Sequence, residues 1–317
     1  SFTRWRKIMI GFEKIYKNLS DSLTSNKLHH AIVISGNKGL GKFEFAKLLT
    51  KEILLGKDST DKLSLFHPDL KIIEKITGKK NISVDQVRTI AGFFQSTSAS
   101  SNRKVIIVNA ADDLNVSSSN AILKTLEEPN KNCYLILICH SVSKLLPTIK
   151  SRCQIHKADT LSFEQFKESF YKLRPDFLPK LGEQEIKTLS ILTDNSPRIA
   201  FKSGEDLTFL YNGLINSLNE RFLDEALLKK VNDKSFDFGN LLMIFDIFFG
   251  RLSKFCCNSL TDASEDERRL FDILSENKSI DDTFKTYDEC KLLLSKTASL
   301  SLDKKLAVIN CFNLICF

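Results

Sequence analysis

The sequence predicts an α/β protein: a five-stranded parallel sheet core over residues 1–159, a small helical lid over 160–204 and an all-helical domain over 205–317. Three observations carry this. Short β-branched runs alternate with helically spaced segments through the first half. The runs at 31–34, 105–108 and 134–138 are apolar at every position, as strands covered on both faces of a parallel sheet must be. Beyond Asp159-Thr160 no such run recurs, and the spacing is helical to the end.

The elements follow in order. Ala31-Ile32-Val33-Ile34-Ser35 is the first strand and ends at Gly36. Residues 43–55 set Phe45, Leu48, Leu49 and Ile53 at spacings of three and four, a helix. Residues 70–73 are a second strand. Ser83 is the expected N-cap of a helix that carries Val84, Val87, Ile90 and Phe94 on one face. Residues 105–108 are the third strand, and residues 117–126 a helix that stops before Pro129. Residues 134–138 and 154–157 complete the sheet. The longest apolar stretches, 241–252 and 306–317, are too short to cross a bilayer and read as buried helices. Phe248, Phe249, Phe255 and residues 306–317 fit equally a face packed on partner subunits and an internal core.

Bulk properties narrow the class. Hydrophobic content of 42% and charged content of 27% suit a globular chain. No apolar core follows Ser1 to Lys7, so no secretory signal is expected. The eight Cys contain no CxxC pair, so they are expected to be small buried hydrophobes in a reducing cytoplasm. A net charge of +7 permits contact with nucleic acid, but a solvated surface explains it as well.

Gly36-Asn37-Lys38-Gly39-Leu40-Gly41-Lys42-Phe43 meets the G-x-x-x-x-G-K-[ST] pattern at every position but the last. Gly36, Gly39 and Gly41 let backbone N–H groups converge at a helix N-terminus, and Lys42 would reach the outer phosphates. Phe43 has no oxygen for Mg²⁺. The acidic pair normally found at the end of the third strand is replaced by Asn109-Ala110. Both halves of the metal site are therefore missing, and hydrolysis is not expected. Asp112-Asp113 read as turn formers and caps of the next helix. Glu127-Glu128 are adjacent, so on a helix they diverge by ~100° and cannot converge on one substrate. Helix-end solvation or a subunit contact is the expected role.

Asn120-Ala121-Ile122-Leu123-Lys124-Thr125-Leu126-Glu127-Glu128-Pro129, followed by Leu145-Leu146-Pro147-Thr148-Ile149-Lys150-Ser151-Arg152-Cys153-Gln154, resembles the signature of bacterial clamp-loader AAA+ subunits. Ile10-Gly11-Phe12-Glu13, His29-His30-Ala31, His67-Pro68-Asp69 and Ile82-Ser83-Val84-Asp85-Gln86-Val87-Arg88 support it. The resemblance covers about residues 8–200; the remainder agrees only in being helical. It implies a P-loop AAA+ core, a lid and a helical oligomerisation collar. Within the family the degenerate metal site is similar to the non-motor subunits.

The resemblance also implies roles. Arg152 would reach the ATP of a neighbouring subunit, where a trans guanidinium is worth about three to five orders of magnitude in rate. Arg198 stands at a lid sensor position, either vestigial or holding the lid on the core. Cys139-His140 sit near a polar sensor position, and a thiol is a poor donor there. No cofactor is required, although the loop retains the means to hold ATP or ADP. Many relatives carry a four-Cys zinc module, but residues 51–70 hold no Cys and His67 alone cannot bind zinc, so none is expected. The implied partners are clamp-loader motor and delta subunits, with the sliding clamp and primed DNA met through the complex and no membrane. Two other readings are an active motor ATPase and a stand-alone DNA-binding AAA+ protein, which would bind DNA with steep salt dependence.

Overall fold

The computed structural model describes residues 10–57, 59–76, 78–79, 81–173, 182–233, 236–300 and 302–316. The chain forms two compact units, residues 1–181 with 194–199 and residues 182–193 with 200–317.

In the first unit the elements run α1 (Glu13–Thr24), β1 (Ala31–Ser35), α2 (Lys42–Leu55), β2 (Leu70–Glu74), α3 (Val84–Gln95), β3 (Lys104–Asn109), α4 (Val116–Glu127), β4 (Cys133–Cys139), α5 (Pro147–Lys150), β5 (Gln154–Lys157) and α6 (Phe163–Leu173). The sheet has the order β2-β3-β4-β1-β5 and is parallel throughout. All five predicted strands are present. In β1 every residue is buried, as is every residue of β4, which pairs with it from Ala31↔Leu135 to Ser35↔Cys139. Alternation then sorts their side chains to two faces. Val33, Ile106, Val108, Leu135 and Leu137 form one core with Val87, Ile90 and Phe94 of α3 and Ile122 and Leu126 of α4. On α2, Phe45 stacks on Phe12 at 4.7 Å. The order brings the β1–α2 loop to the crevice at the carboxyl ends of the strands, where open α/β sheets bind ligands.

Ser83 caps α3 as expected, and Gln86 completes a capping box. Asp112 and Asp113 do not cap α4. They are taken up in a 3-10 turn, Ala111–Asp113, and the helix starts one residue earlier than predicted, so Asn115 accepts the Ser118 N–H instead.

The second unit is helical: α7 (Glu183–Leu192), the body of α8 (Pro197–Glu220), α9 (Glu225–Asn232), α10 (Phe238–Cys256), α11 (Glu265–Asn277), α12 (Ile280–Leu300) and α13 (Lys304–Cys316). Of the two placements open for its apolar load, the internal one holds for most of it. Phe248 and Phe249 are 0% and 4% exposed, and Phe248 and Phe255 both pack on Phe271. Val308, Cys311, Phe312 and Ile315 are buried as well. Leu306, at the start of that stretch, is exposed, as are Phe284, Leu292, Leu300 and Leu302 outside it. A buried polar knot joins three helices. Arg251 Nε and Nη2 donate to the two Glu267 carboxylate oxygens at 2.7 and 2.9 Å, Nη1 reaches Asp262 at 3.2 Å, and the Tyr211 hydroxyl donates to Glu267.

The cysteines are free; Cys133, Cys139, Cys290 and Cys311 are buried as expected, while Cys153, Cys256 and Cys316 are only partly buried. Cys257 is exposed because it closes α10 in the turn beyond the Phe face. Among the described residues no helix is long and apolar enough to cross a membrane.

Candidate functional site

The loop after β1 has the geometry its glycines predict. Gly36 and Gly39 have φ of +146° and +86°, which L side chains rarely adopt. Space forbids a side chain too: a Cβ on Gly36 would stand 2.8 Å from the Ala158 oxygen, and one on Gly39 2.8 Å from Ile199 Cγ1. Gly41, also at positive φ, precedes the first turn of α2.

Lys42 is turned into this loop. It is 4% exposed, and its Nζ donates to the Gly36 and Asn37 carbonyls at 2.6 Å each. Burial lowers its pKa to about 8, opposed by the fields of Cys139 and Asp112. Phe43 lies beneath the Lys47 ammonium, 4.9 Å from the ring centroid, and offers no metal ligand.

Residues 194–199 cover the loop. Asn37 bonds to Asp194, Ser196 Oγ donates to the Lys38 oxygen at 2.6 Å, and the Arg198 N–H meets the Gly39 oxygen at 3.4 Å. The Arg198 guanidinium is paired with Glu44 at 3.0 Å, and Glu44 also holds Lys47 at 2.6 Å. The cavity left beside Gly39, Gly41, Glu44, Pro197 and Arg198 is about 180 Å³. Pockets that bury a small molecule run from roughly 300 to 1,000 Å³. Sequence reasoning missed Glu44. Its signal was a carboxylate in the first turn of the loop's own helix, a position that competes with phosphate for the positive helix end.

The metal-site positions hold no acid. Asn109 ends β3 with its amide 3.5 Å from Glu74, and Ala110 is buried. Asp112 accepts the His140 N–H on both oxygens, at 3.1 and 3.2 Å, and so ties the end of β4 to the turn after β3. Asp113 pairs with Lys75 at 3.1 Å. Burial and then Asp112 push the Cys139 thiol up to about 11, while burial and then Lys42 lower His140. The Nδ1 of His140 is buried without a hydrogen-bond partner. Among the described residues no group of three or more His, Cys, Asp or Glu is disposed to hold a metal ion.

Gly36, Gly39, Gly41, Lys42 and Arg198 are thus brought together. Arg152 has a different environment, in the turn after α5. Its Nη2 is 2.8 Å from Glu127 Oε1, and its Nη1 donates to the Thr148 carbonyl at 3.1 Å and to Ser151 Oγ at 3.2 Å. Next to it, burial pushes the Cys153 thiol up to about 12.

The chain is thus an α/β protein with a five-stranded parallel sheet, a glycine-rich loop between its first strand and the following helix, and a helical remainder. Residues 11–162 match the family described as DNA polymerase III, delta subunit. That match spans just under half of the chain, and the chain is similar to the delta-prime type of DNA polymerase III subunit. It is 38% identical over 135 residues to DNA polymerase III subunit delta' of Pseudomonas aeruginosa, covering 39% of this chain and 41% of that one. It is 31% identical over 160 residues to the Bacillus subtilis delta' subunit, covering 47% and 48%. It is 30% identical over 232 residues to DNA polymerase III subunit gamma of Buchnera aphidicola, covering 68% and 63%. The chain therefore spans about half the length of the two delta' relatives or less.

Proposed function

We propose that the chain is a non-hydrolysing subunit of a clamp loader that lends Arg152 to ATP held by a neighbouring subunit. The observation that carries this is the contrast between two sites on one fold. At its own loop, the Lys42 ammonium is satisfied by two carbonyls, Arg198 is neutralised by Glu44, and no magnesium ligand stands at Phe43 or Asn109-Ala110. At the turn after α5, Arg152 lies at the surface, ion-paired with Glu127 and hydrogen-bonded to Thr148 and Ser151.

A guanidinium brought to the γ-phosphate of a neighbour's ATP opposes the negative charge that spreads over the phosphoryl oxygens during transfer. The chain then acts on nucleotide held by another subunit, and requires no cofactor of its own. In this reading residues 160–204 act as a lid and residues 205–317 as a collar. The exposed Phe284, Leu292, Leu300, Leu302 and Leu306 support packing of that collar on motor and delta subunits. The assembled ring would place the sliding clamp on primed DNA in the cytoplasm.

The test is ATP turnover by the assembled complex. Arg152→Ala should lower turnover at the adjoining site by about 10³ or more, and Arg152→Lys should not restore it, because a single ammonium cannot give two parallel donors. ATP hydrolysis by the isolated chain that ignores Arg152 would refute the proposal.

A further inference from the structure

We infer that Glu127 is the positioning residue for Arg152; this rests on the trans role proposed for that arginine. Arg152 and Glu127 sit on rigid mounts. Leu126, just before Glu127 at the end of α4, and Ile149 of α5 are buried in the same core cluster, and Cys153 packs against it. The two elements are therefore fixed relative to each other, and their polar termini meet at the surface.

The geometry is more particular than a chance surface pair. A guanidinium has five N–H donors. Nη1 is engaged by Thr148 and Ser151, and Nη2 gives one to Glu127. Nε and the second Nη2 hydrogen remain, which is the number a bidentate contact to phosphoryl oxygens requires. The Arg152 and Glu127 side chains are 36% and 50% exposed. A pair so exposed contributes little to stability, so its effect lies in orientation. A long side chain held in place before the neighbour arrives leaves less freedom to lose when charge develops on the phosphate.

The experiment uses the assembled complex with ATP and compares wild type, Arg152→Ala, Glu127→Gln and Glu127→Asp. Subunit assembly is checked by size exclusion, and each variant is assayed at saturating chain. Glu127→Gln should lower kcat at the adjoining site about tenfold with KM unchanged, and Glu127→Asp should recover part of it. Thermal unfolding of the isolated chain should be the same for wild type and both variants. If Arg152→Ala lowers kcat while Glu127→Gln turns over like wild type, the positioning role is wrong and the trans arginine stands. A Glu127→Gln loss that vanishes at saturating chain marks an assembly contact and also overturns it. If Arg152→Ala is itself without effect, the trans reading fails and takes this inference with it.

Discussion

Asp69→Asn isolates one buried charge whose contribution can be worked from its contacts. Asp69 immediately precedes β2 and is 1% exposed. Its carboxylate accepts the N–H groups of Ala99, Ser100 and Ser101 at 2.8–3.1 Å and the hydroxyls of Ser100 and Ser101 at 3.1 and 3.0 Å. Its backbone oxygen accepts the Val105 N–H. Burial alone would raise its pKa, but these donors overcome it and hold the carboxyl at about 2, against an ordinary value of 3.8. Each pKa unit corresponds to ~1.4 kcal/mol, so the ionised form stabilises the fold by about 2 kcal/mol. The folded pKa is the lower one. The stabilisation is therefore complete above about pH 4 and is lost as pH falls through about 2.

Asp69→Asn should remove it at neutral pH. Hydrogen exchange is the sharper assay, because three of the donors are amides. Protection at Ala99, Ser100 and Ser101 should fall about 30-fold in the variant at pH 7. Between pH 4 and 2 wild-type protection should decline toward that of the variant. Equal protection in both proteins at pH 7, or full wild-type protection at pH 2, would refute the reasoning.

Two further outcomes are expected. Glu44→Gln removes the carboxylate beside Gly41 and releases Arg198; equilibrium dialysis of the isolated chain with ATP should show affinity at least about tenfold above wild type, without turnover. Glu267→Ala leaves Arg251 buried without its main partner and should cost about 3–5 kcal/mol in urea unfolding of the second unit, whereas Arg251→Met with Glu267→Leu should cost much less.

The three inner strands, β1, β3 and β4, were legible because burial on both faces left almost no polar position to confuse the period. Ser83 was legible because Ser-x-x-Gln is a local device. Asp112, Asp113 and Asn115 defeated the reading: three polar residues stood before one helix, and only the folded turn decides which of them caps it. The apolar runs of 241–252 and 306–317 showed that something would be buried, and Phe271 supplied the answer from a different helix. Glu44 with Arg198, Glu127 with Arg152, and Asp69 with residues 99–101 were not legible as pairs. Each joins residues from separate stretches of the chain, and no local pattern announces such a partner. The His67-Pro68-Asp69 motif stood only as part of a resemblance until its serine donors came into view.

The knot of Tyr211, Arg251 and Glu267 has a consequence for descent. Helices α8, α10 and α11 each contribute one member. Losing Arg251 or Glu267 strands a buried charge, losing Tyr211 removes one of the donors to Glu267, and the damage is not the sum of separate changes. Single steps away from this arrangement pass through a weakened protein, so the three positions should drift together or not at all. A lineage that replaced them with apolar residues would have to change at least two in close succession, and the trio should be inherited as one character.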